Sequence, residues 1–113
     1  MVLRESYALT TNQHNHDVLA RRLKSARKAA GLSQRLLGMA AGIDEGSAAI
    51  RINRYEQAVH MPDFITAVNL ATVLSVPTAY LFCETEELAE LLLALHKADN
   101  ATMRAVKMLL NKN

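Results

Sequence analysis

The stretch that decides the fold runs Ala30-Gly31-Leu32-Ser33-Gln34-Arg35-Leu36-Leu37-Gly38-Met39-Ala40-Ala41-Gly42-Ile43-Asp44-Glu45. It continues Gly46-Ser47-Ala48-Ala49-Ile50-Arg51-Ile52-Asn53-Arg54-Tyr55-Glu56. Gly31 is placed to stop one helix, because a helix end commonly needs a left-handed residue and glycine takes that backbone without strain. Ser33 then offers its hydroxyl to the first free N–H groups of a second helix, and Leu32 is set to staple onto Leu37. Gly42 stops that helix after about two turns, with Ile43 as an apolar plug at the corner. The spacing predicts a helix from Gln34 to Ala41 and another from near Glu45 to near Gln57. Asp44 caps the latter and Glu45 complements its dipole. A short helix, a glycine corner and a helix ending in Arg and Asn make a helix-turn-helix.

In the third helix Ile52 and Tyr55 face inward, with Ala48 one turn earlier. Gly38 costs its helix about 1 kcal/mol relative to Ala. A close crossing against Ala48 or Ala49 accounts for it. The opposite face carries Ser47, Ile50, Arg51 and Arg54, with Asn53 to one side. Arg can bond guanine through two parallel hydrogen bonds, Asn can do the same for adenine, and Ile50 can cover a thymine methyl. Arg54 has competing internal partners in Glu56 and Asp44. Arg35, in the first turn of the second helix, suits a phosphate.

Outward from this centre, Leu19, Leu23, Ala26 and Ala30 recur at helical spacing, with Arg and Lys on the other side. After Pro62, Asp63 caps a helix bearing Phe64, Ala67, Leu70, Ala71 and Leu74 on one face. Pro77 suits the start of a short helix through Phe82. Thr85 caps a helix with Glu86 and Glu87 in its first turn and a stripe of Leu88, Leu91, Leu92 and Leu95. Asp99 or Asn100 starts a last helix with Met103, Val106, Leu109 and Leu110. Residues 1–16 show neither helical nor strand period and read as a flexible arm. The expected organisation is therefore an arm over 1–16, a DNA-binding domain over 17–83, and a helical extension over 84–113.

At 113 residues the chain suits one domain. Its apolar content is largely Leu and Ala without β-branched runs, which favours an all-α fold. No apolar run approaches the ~20 residues of a membrane span, and no signal-peptide core opens the chain. A single cysteine, Cys83, forms no internal disulfide, suits a cytoplasmic setting and reads as a small core residue. Residues 17–62 hold eight Lys and Arg against four Asp and Glu, whereas the remainder holds five against seven. A local positive excess around a helix-turn-helix attracts phosphate regardless of sequence. His14, His16, His60 and His96 have no companions that complete a metal set. No phosphate-cradling glycine loop occurs either, so no enzyme, metal or cofactor is expected.

From Leu19 to Leu81 the chain resembles the Cro and lambda-repressor class of regulators, also called the Xre type. The resemblance rests on Leu23, Arg27, Gly31-Leu32-Ser33-Gln34, Leu37, Gly42-Ile43, Ile52, Arg54-Tyr55-Glu56, Pro62, Leu70-Ala71, Leu74, Val76 and Tyr80-Leu81. Three positions depart from the pattern. Gly38 stands where Ala is usual, and Ala58 where a Gly commonly follows the Tyr-Glu pair. Gly42 and Ile52 are ten positions apart instead of about six, an excess of roughly one helical turn. The resemblance implies a compact five-helix lambda-repressor-like domain, with one or two further C-terminal helices. It implies that Gln34 touches the DNA backbone or braces the third helix, and that Glu56 is a structural carboxylate.

The expected function is a sequence-specific DNA-binding transcriptional repressor. It sets its third helix into the major groove of double-stranded DNA as a homodimer. The candidate contacts are Ser33, Gln34, Arg35, Ser47, Ile50, Arg51, Asn53 and Arg54. The candidate dimerisation residues are Leu88, Leu91, Leu92, Leu95, Met103, Val106 and Leu110. The alternative is a protein-interaction module of the same fold, such as an adaptor or the antitoxin of a toxin–antitoxin pair.

Overall fold

The computed structural model describes residues 17–112. They fold as α1 (residues 17–29), α2 (Gln34–Ala40), α3 (Glu45–Glu56), α4 (Phe64–Leu74), a 3-10 helix (Thr78–Phe82), α5 (Glu86–Lys97) and α6 (Asn100–Leu110). No strand occurs among the described residues. The arm expected over 1–16 lies outside them.

Five helices start in one way. Ser33 Oγ accepts from the Leu36 N–H, Asp44 Oδ2 from Gly46, Asp63 Oδ1 from Thr66, Thr85 Oγ1 from Leu88 and Asp99 Oδ1 from Thr102. Each side chain satisfies a helical N–H that has no partner within its own helix. Four helices also stop in one way. Gly31, Gly42, Ala58 and Ser75 take positive φ. The next residue's N–H then reaches back five positions: Leu32 to the Arg27 carbonyl, Ile43 to Gly38, Val59 to Arg54 and Val76 to Ala71. That bond and the apolar residue behind it are the marks of a Schellman stop. Leu32, Ile43 and Val76 all turn into the core.

The core gathers Leu19 and Leu23 of α1, Leu37 of α2, Ile52 of α3, Leu70 of α4 and Leu81 of the 3-10 helix, all fully buried. Cys83 is buried and unpaired with any other cysteine, as a small core residue would be. Between α2 and α3 the backbones nearly touch. A Cβ added at Gly38 would stand 2.8 Å from Ala48 Cβ and 3.0 Å from the Ala48 carbonyl oxygen. The expected close crossing is therefore the Gly38–Ala48 contact.

Some sequence expectations need correction. Arg22, counted with the outward basic residues, is only 4% exposed. Its Nε donates to the Cys83 carbonyl at 3.0 Å, Nη1 pairs with the Glu86 carboxylate, and the guanidinium lies 5.6 Å from the Tyr80 ring centroid. It thereby ties α1 to the start of α5. Phe64, expected on the inner face of α4, is 74% exposed, its neighbour Ile65 is mostly exposed too, and the buried side of α4 begins at Ala67. Ala30 is exposed in the turn after α1. On α5 the inward side is Ala89, Leu92 and Leu93, so Leu88 and Leu91 of the predicted stripe point to solvent. The short helix expected after Pro77 is present through Phe82, as a 3-10 helix.

Candidate nucleic-acid interface

The turn between α2 and α3 holds only Ala41 to Asp44. The residues in excess between Gly42 and Ile52 therefore extend α3 at its N-terminal end, giving a helix of 12 residues. Buried Ala48, Ile52, Tyr55 and Glu56 fix its rotation. Ile50, Arg51, Asn53 and Arg54 are left exposed, with Ser47 half-buried at their edge.

Two flanks result. On one, Ser47, Ile50, Arg51 and Arg54 line an open cleft of about 360 Å³ together with Tyr55, His60 and Met61. Among the described residues neither Arg51 nor Arg54 forms an ion pair. The internal partners considered for Arg54, Glu56 and Asp44, are engaged elsewhere. Burial raises the Tyr55 phenol above its ordinary value, while the neighbouring Arg51 guanidinium pulls the other way. Tyr55, His60 and Met61 were not among the sequence candidates. Tyr55 read as core, and the other two lie beyond the end of α3, where helical period gives no signal.

On the other flank a hydrogen-bond chain runs from the interior to the surface. Arg27 grips Glu56 twice, Nε to Oε2 at 2.6 Å and Nη2 to Oε1 at 3.0 Å, and its Nη1 donates to the Leu32 carbonyl at 2.9 Å. The hydrogen bonds to Glu56 raise the Arg27 guanidinium above its ordinary value despite desolvation. Gln34 Nε2 then donates to Glu56 Oε1 and to Asn53 Oδ1, each at 3.1 Å. This is a fixed amide–amide brace from α2 to α3. It presents Asn53 with its oxygen already oriented, and charge-assisted bonds behind it resist rotation.

The remaining candidates sit at helix starts. Ser33 Oγ is occupied as the α2 cap, and the Ser47 hydroxyl donates to the Asp44 carbonyl at 3.4 Å. Arg35 Nη2 donates to Glu45 Oε1 at 2.6 Å across the corner. The structure brings the cleft residues together and the Gln34–Asn53 pair together. It keeps Arg35 apart, held by a carboxylate.

A helix-turn-helix family model matches residues 23–81, a little over half of the chain. The chain belongs to the Xre-type, lambda-repressor-like helix-turn-helix family. Among solved structures it is similar to the crystal structure of the transcriptional regulator BswR, with 42% sequence identity and a TM-score of 0.78. That match covers 83% of this chain and 93% of the other. No curated protein matches the sequence significantly. Membership of the Xre-type family makes the chain a DNA-binding regulator. Its α3, the second helix of the helix-turn-helix, runs for 12 residues. Among the described residues no side-chain group suited to a metal ion occurs, and no helix is long and apolar enough to cross a membrane.

Proposed function

We propose that this chain is a sequence-specific transcriptional repressor of the cytoplasm. It sets α3 into the major groove and pairs with a second copy on a two-fold-related operator. The observation that carries this reading is the exposed face of α3, where the guanidinium groups of Arg51 and Arg54 border one cleft. Neither is in an ion pair among the described residues. Arg51 stands beside the Tyr55 phenol and within electrostatic reach of Asp63. Arg51 reads a base, with Ile50 on a thymine methyl and Asn53 on an adenine. Arg54, Ser33, Ser47 and Gln34 meet the flanking phosphates and sugars, which fix register without reading sequence. Arg35 joins them once its carboxylate partner lets go.

One reading face is small for specific affinity, so two copies with half-sites about one helical turn apart are needed. The extension over 84–113 supplies the pairing surface. Leu88, Leu91, Leu109 and Leu110 are exposed, and α6 buries none of its residues. Leu92, a pairing candidate from sequence, packs in part on its own core. Leu95, Met103 and Val106 are half-buried and border the exposed leucines.

Selection of bound fragments from random duplex DNA tests the proposal. The expected outcome is a symmetric consensus with half-sites about ten base pairs apart. Repeating the selection with Arg51→Ala is expected to relax one position per half-site, at about 1–3 kcal/mol. An unenriched pool from the wild-type protein removes the sequence-specific reading. An unchanged consensus from the variant removes Arg51 from base contact.

A further inference from the structure

The corner between α2 and α3 carries one cation and one anion, and they hold each other. Arg35 lies in the first turn of α2, Glu45 is the first residue of α3, and Arg35 Nη2 meets Glu45 Oε1 at 2.6 Å. Both side chains are open to water, 52% and 62% exposed. We propose that Glu45 is an internal stand-in for phosphate. It occupies Arg35 in the free protein and so sets how strongly any DNA duplex is held, whatever its sequence. The proposal rests on the DNA-binding reading above.

The physical argument is one of competition. The pair stands at the leading end of the reading helix, where the sugar-phosphate ridges of the major groove approach. A phosphate there competes for the same guanidinium that Glu45 holds. Exposed ion pairs contribute ~0–1 kcal/mol, so the latch is weak enough for a phosphate to open. Opening it has two costs. The pair is lost, and the released carboxylate faces the anionic backbone with no partner of its own. Asp44, next in the chain, adds to that negative field while its Oδ2 caps α3. Binding without sequence preference depends almost wholly on phosphate contacts, so this cost falls on every duplex. Neither residue is buried, so the chain folds without the pair.

Four proteins decide it: wild type, Glu45→Gln, Arg35→Ala and the double variant. Their affinities are measured on random-sequence duplex across a salt series, with circular dichroism as the check on folding. Glu45→Gln is expected to bind about two- to fivefold more tightly. Its log–log salt dependence is expected to steepen by up to about one, because no freed carboxylate gathers a cation to offset the one the phosphate releases. When Arg35 is already Ala, the share of that gain owed to the pair should vanish, and only the relief of repulsion between Glu45 and the backbone should remain. An equal gain with and without Arg35 overturns the latch. So does a Glu45→Gln protein that binds random duplex like the wild type but loses a cytosine preference in selected sites, since Glu45 would then be reading a base. If wild type and variants all fail to bind any duplex, the DNA-binding reading falls, a result distinct from the other two.

Discussion

Single residues carry both strain and discrimination in this chain. Ala58 holds φ +60 at the stop of α3, a backbone that disfavours an L residue by about 1–2 kcal/mol. The three other stops of this kind use two glycines and a serine. Ala58→Gly should therefore raise stability by about 1 kcal/mol, after allowing for glycine's greater freedom when unfolded. Urea melts check this, and an unchanged or lower midpoint would remove strain as the account of Ala58. The sequence made the stop at Gly42 readable and left that at Ala58 obscure, because alanine gives no sign of a left-handed backbone. Arg22 was hidden for a different reason. It lies three residues after Leu19 and four before Ala26, squarely on the buried face. Its spacing suits the inner side, yet the sequence reading set it with the outward basic residues, because a charged side chain is ordinarily solvated. Only the Cys83 carbonyl, the Glu86 carboxylate and the Tyr80 ring, all about sixty residues on, make its burial tolerable.

Elements are decided by how closely they meet and how well they begin. Gly38→Ala gains about 1 kcal/mol of helix propensity but drives a Cβ to 2.8 Å from Ala48 Cβ and 3.0 Å from its carbonyl oxygen. A backbone atom cannot swing aside as a side-chain tip can, so overpacking of about 1–3 kcal/mol should win. The expected result is a net destabilisation. A smaller cost of Gly38→Ala in an Ala48→Gly background, which removes the Cβ contact but not the carbonyl one, would show that the crossing is its source. A more stable Gly38→Ala protein would disprove the tight crossing.

The helix starts respond to acid. Hydrogen bonds from Thr66 hold the Asp63 carboxyl below its ordinary value, and bonds from Thr102 do the same for Asp99. A carboxyl depressed by folding stabilises fully above its unfolded value, and that contribution is lost as pH falls through the folded value. Melting temperature should thus drop from about pH 5 downward. Asp63→Asn and Asp99→Asn, which keep a capping oxygen without the charge, should flatten the drop. A slope identical to wild type would remove the two caps from the acid response. Caps and stops were legible because they depend on one or two residues read in order. The inward side of α5 was not. Leucines at 88, 91, 92, 93 and 95 surround most of that helix, and period cannot choose among faces that are all apolar.

At the scale of the whole molecule, the folded body and its C-terminal extension are built differently. The body closes on a shared core. In the extension, α5 lends that core Ala89, Leu92 and Leu93, and α6 lends it nothing. Ending the chain at Lys97 should leave the α1–α4 body intact by circular dichroism. Light scattering should show the full chain as a dimer and the shortened chain shifted toward monomer. Monomers in both samples would end the homodimer proposal, and a full chain recovered with a different polypeptide would favour the adaptor or antitoxin reading. The candidate interface was legible where its residues lie close in sequence, from Ser33 to Glu56, and not at His60 and Met61, which join the cleft from beyond α3. The extension was not, because α6 buries none of its residues, and period alone names no face that a core would select.

The bareness of α6 bears on how long a lone subunit survives. A helix of 11 residues is marginal in water without something to lean on. An unmated copy would fray at its C-terminus and offer proteases an easy grip. Under the pairing proposed above, turnover would fall hardest on solitary copies, leaving mated pairs to persist.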